Sequence, residues 1–229
     1  MTEIAANDPD MIETATASAT RAPMQKRAQA SLERMLTATE TLLIERGSGA
    51  FTLQEVSRVG KVSIGSIYFR FDSKETLIRA VHERVMRRME EDHDRLIARA
   101  RARTLDSGPV QRVQAVIEEV GDFLKHNAPL LHPLMMCAQG DEAVRERGAR
   151  SYQHLSSRIR DELATLSDHI HRSDAEDAMR SALDIAFAAY ARELGLGLAE
   201  RAVVGQNWPR IRAHMGEMAA AFLFMPKAS

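Results

Sequence analysis

The chain has 229 residues, 45% of them hydrophobic, and a formal net charge of −1. That length allows one large domain or a small one joined to a larger one, and the apolar content is enough for a real core. A near-zero net charge argues against indiscriminate coating of nucleic acid, and a single cysteine, Cys137, excludes a disulfide framework within one chain. The N-terminus has neither a basic n-region nor an apolar h-region, and no apolar run approaches the length of a membrane span. A soluble, cytoplasmic protein without membrane partners is expected. Charge is unevenly spread: Lys and Arg outnumber Asp and Glu from Arg21 to Arg79, whereas the first twenty residues carry acids only.

Residues 1–23 are rich in Ala, Thr and Ser without a large apolar pattern, and read as a disordered arm. Leu32, Met35, Leu36, Thr39, Leu42 and Leu43 then repeat on one helical face, and Gly47 and Gly49 stop that helix. Thr52-Leu53-Gln54-Glu55 is a capping-box pattern, with Phe51 and Val56 placed as a hydrophobic staple. Gly60 and Lys61 end this second helix. Ser63 caps a very short third, which ends near Phe69 or Arg70. Asp72-Ser73-Lys74-Glu75 caps a fourth whose stripe of Leu77, Val81, Val85 and Met89 runs on towards Leu96 and Arg103. Pro109 opens a helix to about Lys125, with Asn127-Ala128-Pro129 as punctuation and an apolar piece from Leu130 to Cys137. Three more helices follow: Asp141 to about Leu166, Ser173 or Asp174 to Gly195 or Gly197, and one opened by Trp208-Pro209. No strand-like alternation stands out, so the class is all-α.

The stretch from Phe51 to Leu77 carries the functional signal. A helix as short as the third cannot be stable alone, and its outward side is rich in small polar residues. Such an arrangement suits a reading helix in the major groove of DNA. Ser63 and Ser66 offer hydroxyls to base edges or phosphates, Ile64 a contact for a thymine methyl, and Gly65 a close backbone approach. Tyr68 and Arg70 are placed to reach phosphates. Lys74, in the first turn of the next helix, and Thr52, at the cap of an earlier one, are further phosphate candidates. Val56, Val62, Ile67 and Phe71 read as core.

This segment resembles the DNA-binding domain of tetracycline-repressor (TetR) family regulators. The resemblance rests on Val62-Ser63-Ile64-Gly65-Ser66-Ile67-Tyr68, Phe71, Ser73-Lys74-Glu75 and Leu77, preceded by Glu45-Arg46-Gly47. Two positions depart from the family pattern: Lys61 stands where the turn glycine is usual, with Gly60 one place earlier, and Arg70 stands where His or Tyr is frequent. The resemblance implies an N-terminal three-helix bundle with a helix-turn-helix at 24–80, and a larger helical ligand-binding and dimerisation domain at 81–229. It also implies a homodimer on double-stranded DNA with a near-palindromic operator, and an unknown small-molecule effector that weakens DNA binding.

The last two helices are candidates for the dimer contact. The first of them is apolar around most of its girth and must be covered on most of it. Ala182, Ala186 and Ala189 would allow close approach, with Ile211, Met215, Met218 and Phe222 on the partner helix; a central helix buried within a monomer is the alternative. Leu131, Leu134 and Met135, with Phe123, Phe187 and Tyr190, could line an apolar ligand cavity, although ordinary core packing is the commoner role for any one of them. No HExxH, phosphate-binding glycine loop or GxSxG is present, and the histidines are scattered. Neither an enzyme nor a metal or cofactor site is expected. The alternative to a DNA-binding regulator is a helical protein-interaction or ligand-carrying module.

Overall fold

Met35, Leu36, Leu42 and Leu43 form the buried face of helix α1 (Pro9–Arg46) in the computed structural model, which describes residues 9–196 and 207–225, with side chains from 25 onward. The backbone is helical from Pro9, where a disordered arm is expected from composition. Pro at the first helical position and an alanine-rich continuation suit a helix extended from an established one. Residues 1–8 of the expected arm lie outside the described residues.

Helices α2 (Leu53–Gly60), α3 (Ile64–Tyr68) and the start of α4 (Lys74–Arg103) complete the N-terminal bundle. Each start is held by a hydroxyl. Thr52 accepts from the Glu55 N–H while Glu55 accepts from the Thr52 N–H at 2.8 Å. Ser63 accepts from the Ser66 N–H at 3.1 Å. Ser73 and Thr76 form a reciprocal pair. The five-residue α3 is kept in place by Ile67, which is fully buried, with Val62 and Phe71 buried on either side. Burying one such side chain is worth about 1.5–3 kcal/mol, enough to fix a turn too short to stand alone.

Helices α4, α5 (Pro109–Ala138), α6 (Glu142–Ala164), α7 (Ala175–Glu193) and α8 (Trp208–Phe224) form the second unit, with a 3-10 turn at Ser167–His169 between α6 and α7. The described residues contain no strand. Helix α4 belongs to both units, as its long apolar stripe predicts. Helix α5 does not stop at Asn127. It passes through Pro129 and Pro133, because Leu130 and Leu134 pack into the core and tertiary burial overrides local propensity. No N–H of residue 129 reaches Lys125, whose carbonyl lies on an exposed residue where water can serve it. No helix among the described residues is long and apolar enough to cross a membrane.

Candidate functional site

The turn between α2 and α3 sets the angle of the short helix. Gly60 is buried, and a Cβ there would come within 3.0 Å of the Arg34 carbonyl and 3.2 Å of the Ala38 Cβ. Glycine is therefore needed where α2 crosses α1. The left-handed residue that reverses the chain is the next one, Lys61, at φ 50° and ψ 47°. Its N–H closes the helix on Arg58 and Ser57, and the Ser57 hydroxyl donates to the Val62 carbonyl at 2.6 Å. The turn thus keeps its geometry with the glycine displaced by one.

The outer side of α3 and its end are open. Gly65 has nothing within 4 Å of where a Cβ would be. Ser63 and Ser66 share a hydroxyl pair at 2.7 Å, close to the cap bond. Ile64 is only half-buried, against the bundle. Tyr68 is 53% exposed and Phe69 89%, the latter being the most exposed large apolar side chain among those described. Phe69 was not singled out from the sequence, because it sits between core positions Ile67 and Phe71; its odd position relative to both was the available signal. Two cations behave less freely than their type suggests. The Arg70 guanidinium donates to the Ala28 carbonyl at 3.0 Å, tying the end of α3 to α1. Lys74 Nζ donates to the Gly49 carbonyl at 2.9 Å and lies 5.7 Å from the centre of the Phe51 ring. Thr52 is exposed, with its hydroxyl engaged by Glu55. Those bonds hold the Glu55 carboxyl below its ordinary range.

In the second unit, α4, α5, α6 and the side of α7 enclose a largely apolar cavity of about 310 Å³. Phe123, Leu131, Leu134, Met135 and Phe187 line it, as the sequence reading expects. Tyr190 does not. Its ring is fully buried over Gly121, where an added Cβ would lie 2.8 Å from Cζ, and it packs against Trp208. The reason is the absence of a side chain at Gly121, which opens a slot between α5 and α8 on the other side of α7. One face of α4 completes the wall: Met89, expected only as part of an apolar stripe, with His82, Met86 and His93, which the sequence pattern does not single out. Their i, i+4, i+7, i+11 spacing was a legible signal that scattered histidines obscured. Burial first, then the charge of Arg147, pushes His82 down to about 4. Burial and the charge of His154 push His93 down to about 4 as well. Tyr152, also on the wall, donates its hydroxyl to Asp184. Arg147 joins α6 to α4 through Glu83 and Glu90, both at 2.7 Å.

On the outer side of α7 and α8, Ile185 is 52% exposed and Met218 42%. Ala189, Ile211, Met215 and Phe222 are half-buried beside them. Ala182 and Ala186, expected at a dimer contact, are buried within the chain's own core instead. They fall on the part of α7 that meets its own bundle, while Ile185 faces outward.

Residues 35–81 match the family profile of bacterial regulatory proteins, tetR family. That match spans the end of α1, all of α2 and α3 and the start of α4, which is the helix-turn-helix with its flanking helices. Solved structures agree in fold across both units of the chain. A protein from Mesorhizobium loti MAFF303099 aligns over 86% of this chain and 96% of its own, at TM-score 0.66 and 13% identity. A TetR transcription regulator from Haloarcula marismortui aligns over 84% and 96%, at TM-score 0.61 and 20% identity. GusR of Salmonella enterica aligns over 85% and 96%, at TM-score 0.58 and 18% identity. At these identities the likeness is one of fold. No curated protein matches the sequence. Over residues 35–81 the chain is similar to the DNA-binding region of bacterial tetR-family regulatory proteins, and beyond them the likeness is one of fold.

Proposed function

We propose that this chain is a repressor that sits on a near-palindromic operator as a homodimer and leaves it when a small, largely apolar molecule fills the cavity. The observation that carries the reading is the double duty of α5. Leu131, Leu134, Met135 and Ala138 line the cavity. Between them, Cys137 abuts the N-terminal bundle: a Cβ on Gly49 would lie 3.3 Å from Cys137 Sγ and 3.4 Å from Ile78 Cδ1. Gly49 also holds Lys74 through its carbonyl. Just beyond, Asp141 caps α6 and accepts from Arg79 Nε of α4 at 2.7 Å. A ligand that displaces the end of α5 therefore presses on the loop and helix that position α3. Such a ligand changes operator affinity only by its unequal affinity for the two arrangements.

The reading surface would consist of Ser63, Ile64, Gly65 and Ser66 towards the bases, with Thr52, Tyr68, Arg70 and Lys74 towards the phosphates. Two copies joined through the exposed faces of α7 and α8 would present two such surfaces, in line with a two-fold operator. The test is selection of bound duplexes from a random pool with the full chain. Enrichment of one sequence with two related half-sites is expected, and its affinity should fall steeply with salt. Recovery of duplexes with no shared sequence would sink the assignment of α3 as a reading helix.

A further inference from the structure

His82 is 4% exposed, makes no hydrogen bond among the described residues, and lies on the cavity wall. The edge of its ring that carries Nε2 faces Gly148 of α6, where a Cβ would lie 3.9 Å from Nε2. Gly148 is itself on the wall, and its missing side chain leaves the space in front of that nitrogen open. His82 takes no partner from the chain, and neither of its ring nitrogens is among the fully buried polar atoms left without one, so the edge that meets the cavity is free to bond an oxygen placed there. His93, about 16 Å further along the same face of α4, has its Nδ1 occupied by His154 Nδ1 at 2.9 Å. Between them the wall is Met86 and Met89.

The charges around this cavity decide the chemistry of the partner. Facing His82 are Arg147, Glu83 and Asp141; facing His93 are His154, Glu90, Asp92 and Asp94. Arg147 is committed to Glu83 and Glu90. Arg145 alone among the lining residues carries a full charge, and it stands at the rim, largely exposed and paired with Glu142 at 3.4 Å. Both lining imidazoles are held neutral by burial. A carboxylate or ammonium inside would have no buried counter-charge, which is costly. A hydroxyl or carbonyl oxygen needs only one hydrogen-bonding nitrogen.

We infer that the cavity takes an uncharged amphiphile of roughly ten to fifteen non-hydrogen atoms, an apolar body with one hydroxyl or carbonyl oxygen hydrogen-bonded to His82. The inference rests on the reading of this cavity as a ligand site and adds the ligand's class and its polar anchor.

The test is calorimetric titration of the full chain at pH 7.5 with three probes of matched length: decanol, decanoate and decylamine. Decanol should bind at least tenfold tighter than either ion. His82→Leu should weaken decanol about tenfold, His82→Asn should recover part of the loss, and Arg145→Ala should leave decanol unchanged. Should His82→Leu fail to fold, the probe ranking in the native chain and the Arg145→Ala result still decide. Equal or tighter binding of decanoate or decylamine, no binding of decanol, or decanol affinity within twofold in a folded His82→Leu chain would each overturn the inference. Parallel release from the selected operator separates the two readings. His82-dependent decanol binding without release upholds the ligand class and defeats the effector role. Release by decanoate, independent of His82, does the reverse.

Discussion

His93 Nδ1 lies 2.9 Å from His154 Nδ1, with the two rings stacked at 5.1 Å between centres and Phe123 edge-on to His93. One ring donates to the other, so the buried member of the pair stays neutral. Together with His82 this gives α4 two imidazoles whose folded pKa is about 4, against an ordinary value of 6.5. The unfolded chain then binds more protons between those two values. Stability is full above pH 6.5, falls as the pH drops through the window, and levels off below about 4. Each histidine contributes up to about a tenfold loss in the folding constant per pH unit. Urea titrations at pH 7.5, 6 and 5 should show the midpoint falling, and His82→Leu should flatten the trend. A midpoint that holds steady over that range would contradict the neutral pair.

The turn before α3 yields two substitutions of opposite sign. Lys61→Gly relieves a left-handed backbone at a position where L-residues are disfavoured by about 1–2 kcal/mol, less the extra flexibility of glycine when unfolded. A net gain of about 0.5–1 kcal/mol is expected. Gly60→Ala drives a methyl to 3.0 Å from the Arg34 carbonyl, which is backbone and cannot step aside. A loss of about 1–3 kcal/mol follows. Thermal melts of the two variants against the parent chain test the pair, and a stabilised Gly60→Ala would refute the close crossing of α1 and α2.

Phe69 and Lys74 separate reading from scaffolding. With 89% of its surface exposed, Phe69 contributes little to the fold, so Phe69→Ala should shift stability by no more than about 0.5 kcal/mol. It should nevertheless weaken operator binding, since the side chain stands beside the reading helix. Lys74→Ala removes the bond to the Gly49 carbonyl and should cost about 1 kcal/mol of stability. It should also reduce the salt dependence of binding by about one ion. An unchanged salt slope would confine Lys74 to holding the loop.

The outer face of α7 and α8 is testable by charge. Ile185→Glu or Met218→Glu places a carboxylate on an exposed apolar surface without disturbing the core. The isolated chain should keep its helicity, while sedimentation moves from dimer to monomer and operator binding is lost. Persistence of the dimer in both variants would shift the contact elsewhere.

Much of the fold was legible because its determinants are local. Thr52, Ser63 and Ser73 announce helix starts by chemistry confined to four residues, and all three hold the expected bonds. Stripes such as Leu77 to Met89 are likewise set by period alone. What escaped depends on partners distant in sequence. Pro129 reads as a stop until Leu130 and Leu134 are seen to be buried. Tyr190 reads as a cavity residue until Gly121, on another helix, is seen to make room for its ring. The inward-facing Ala182 and Ala186 cannot be told from outward-facing neighbours on a helix that is apolar nearly all round. His82 and His93 are assembled into one wall only by the register of α4 against α6.

The continuous α5 has one further effect. With prolines at 129 and 133, two rungs of its hydrogen-bond ladder are absent just where the rod passes the cavity and goes on to meet Gly49. If the cavity takes an effector as proposed, a rod weakened at that spot would yield like a sprung joint, a modest wedge at Leu134 swinging its tip where an unbroken ladder would resist. The same prolines that look like a full stop in the sequence would then let a filled pocket be felt at the far end.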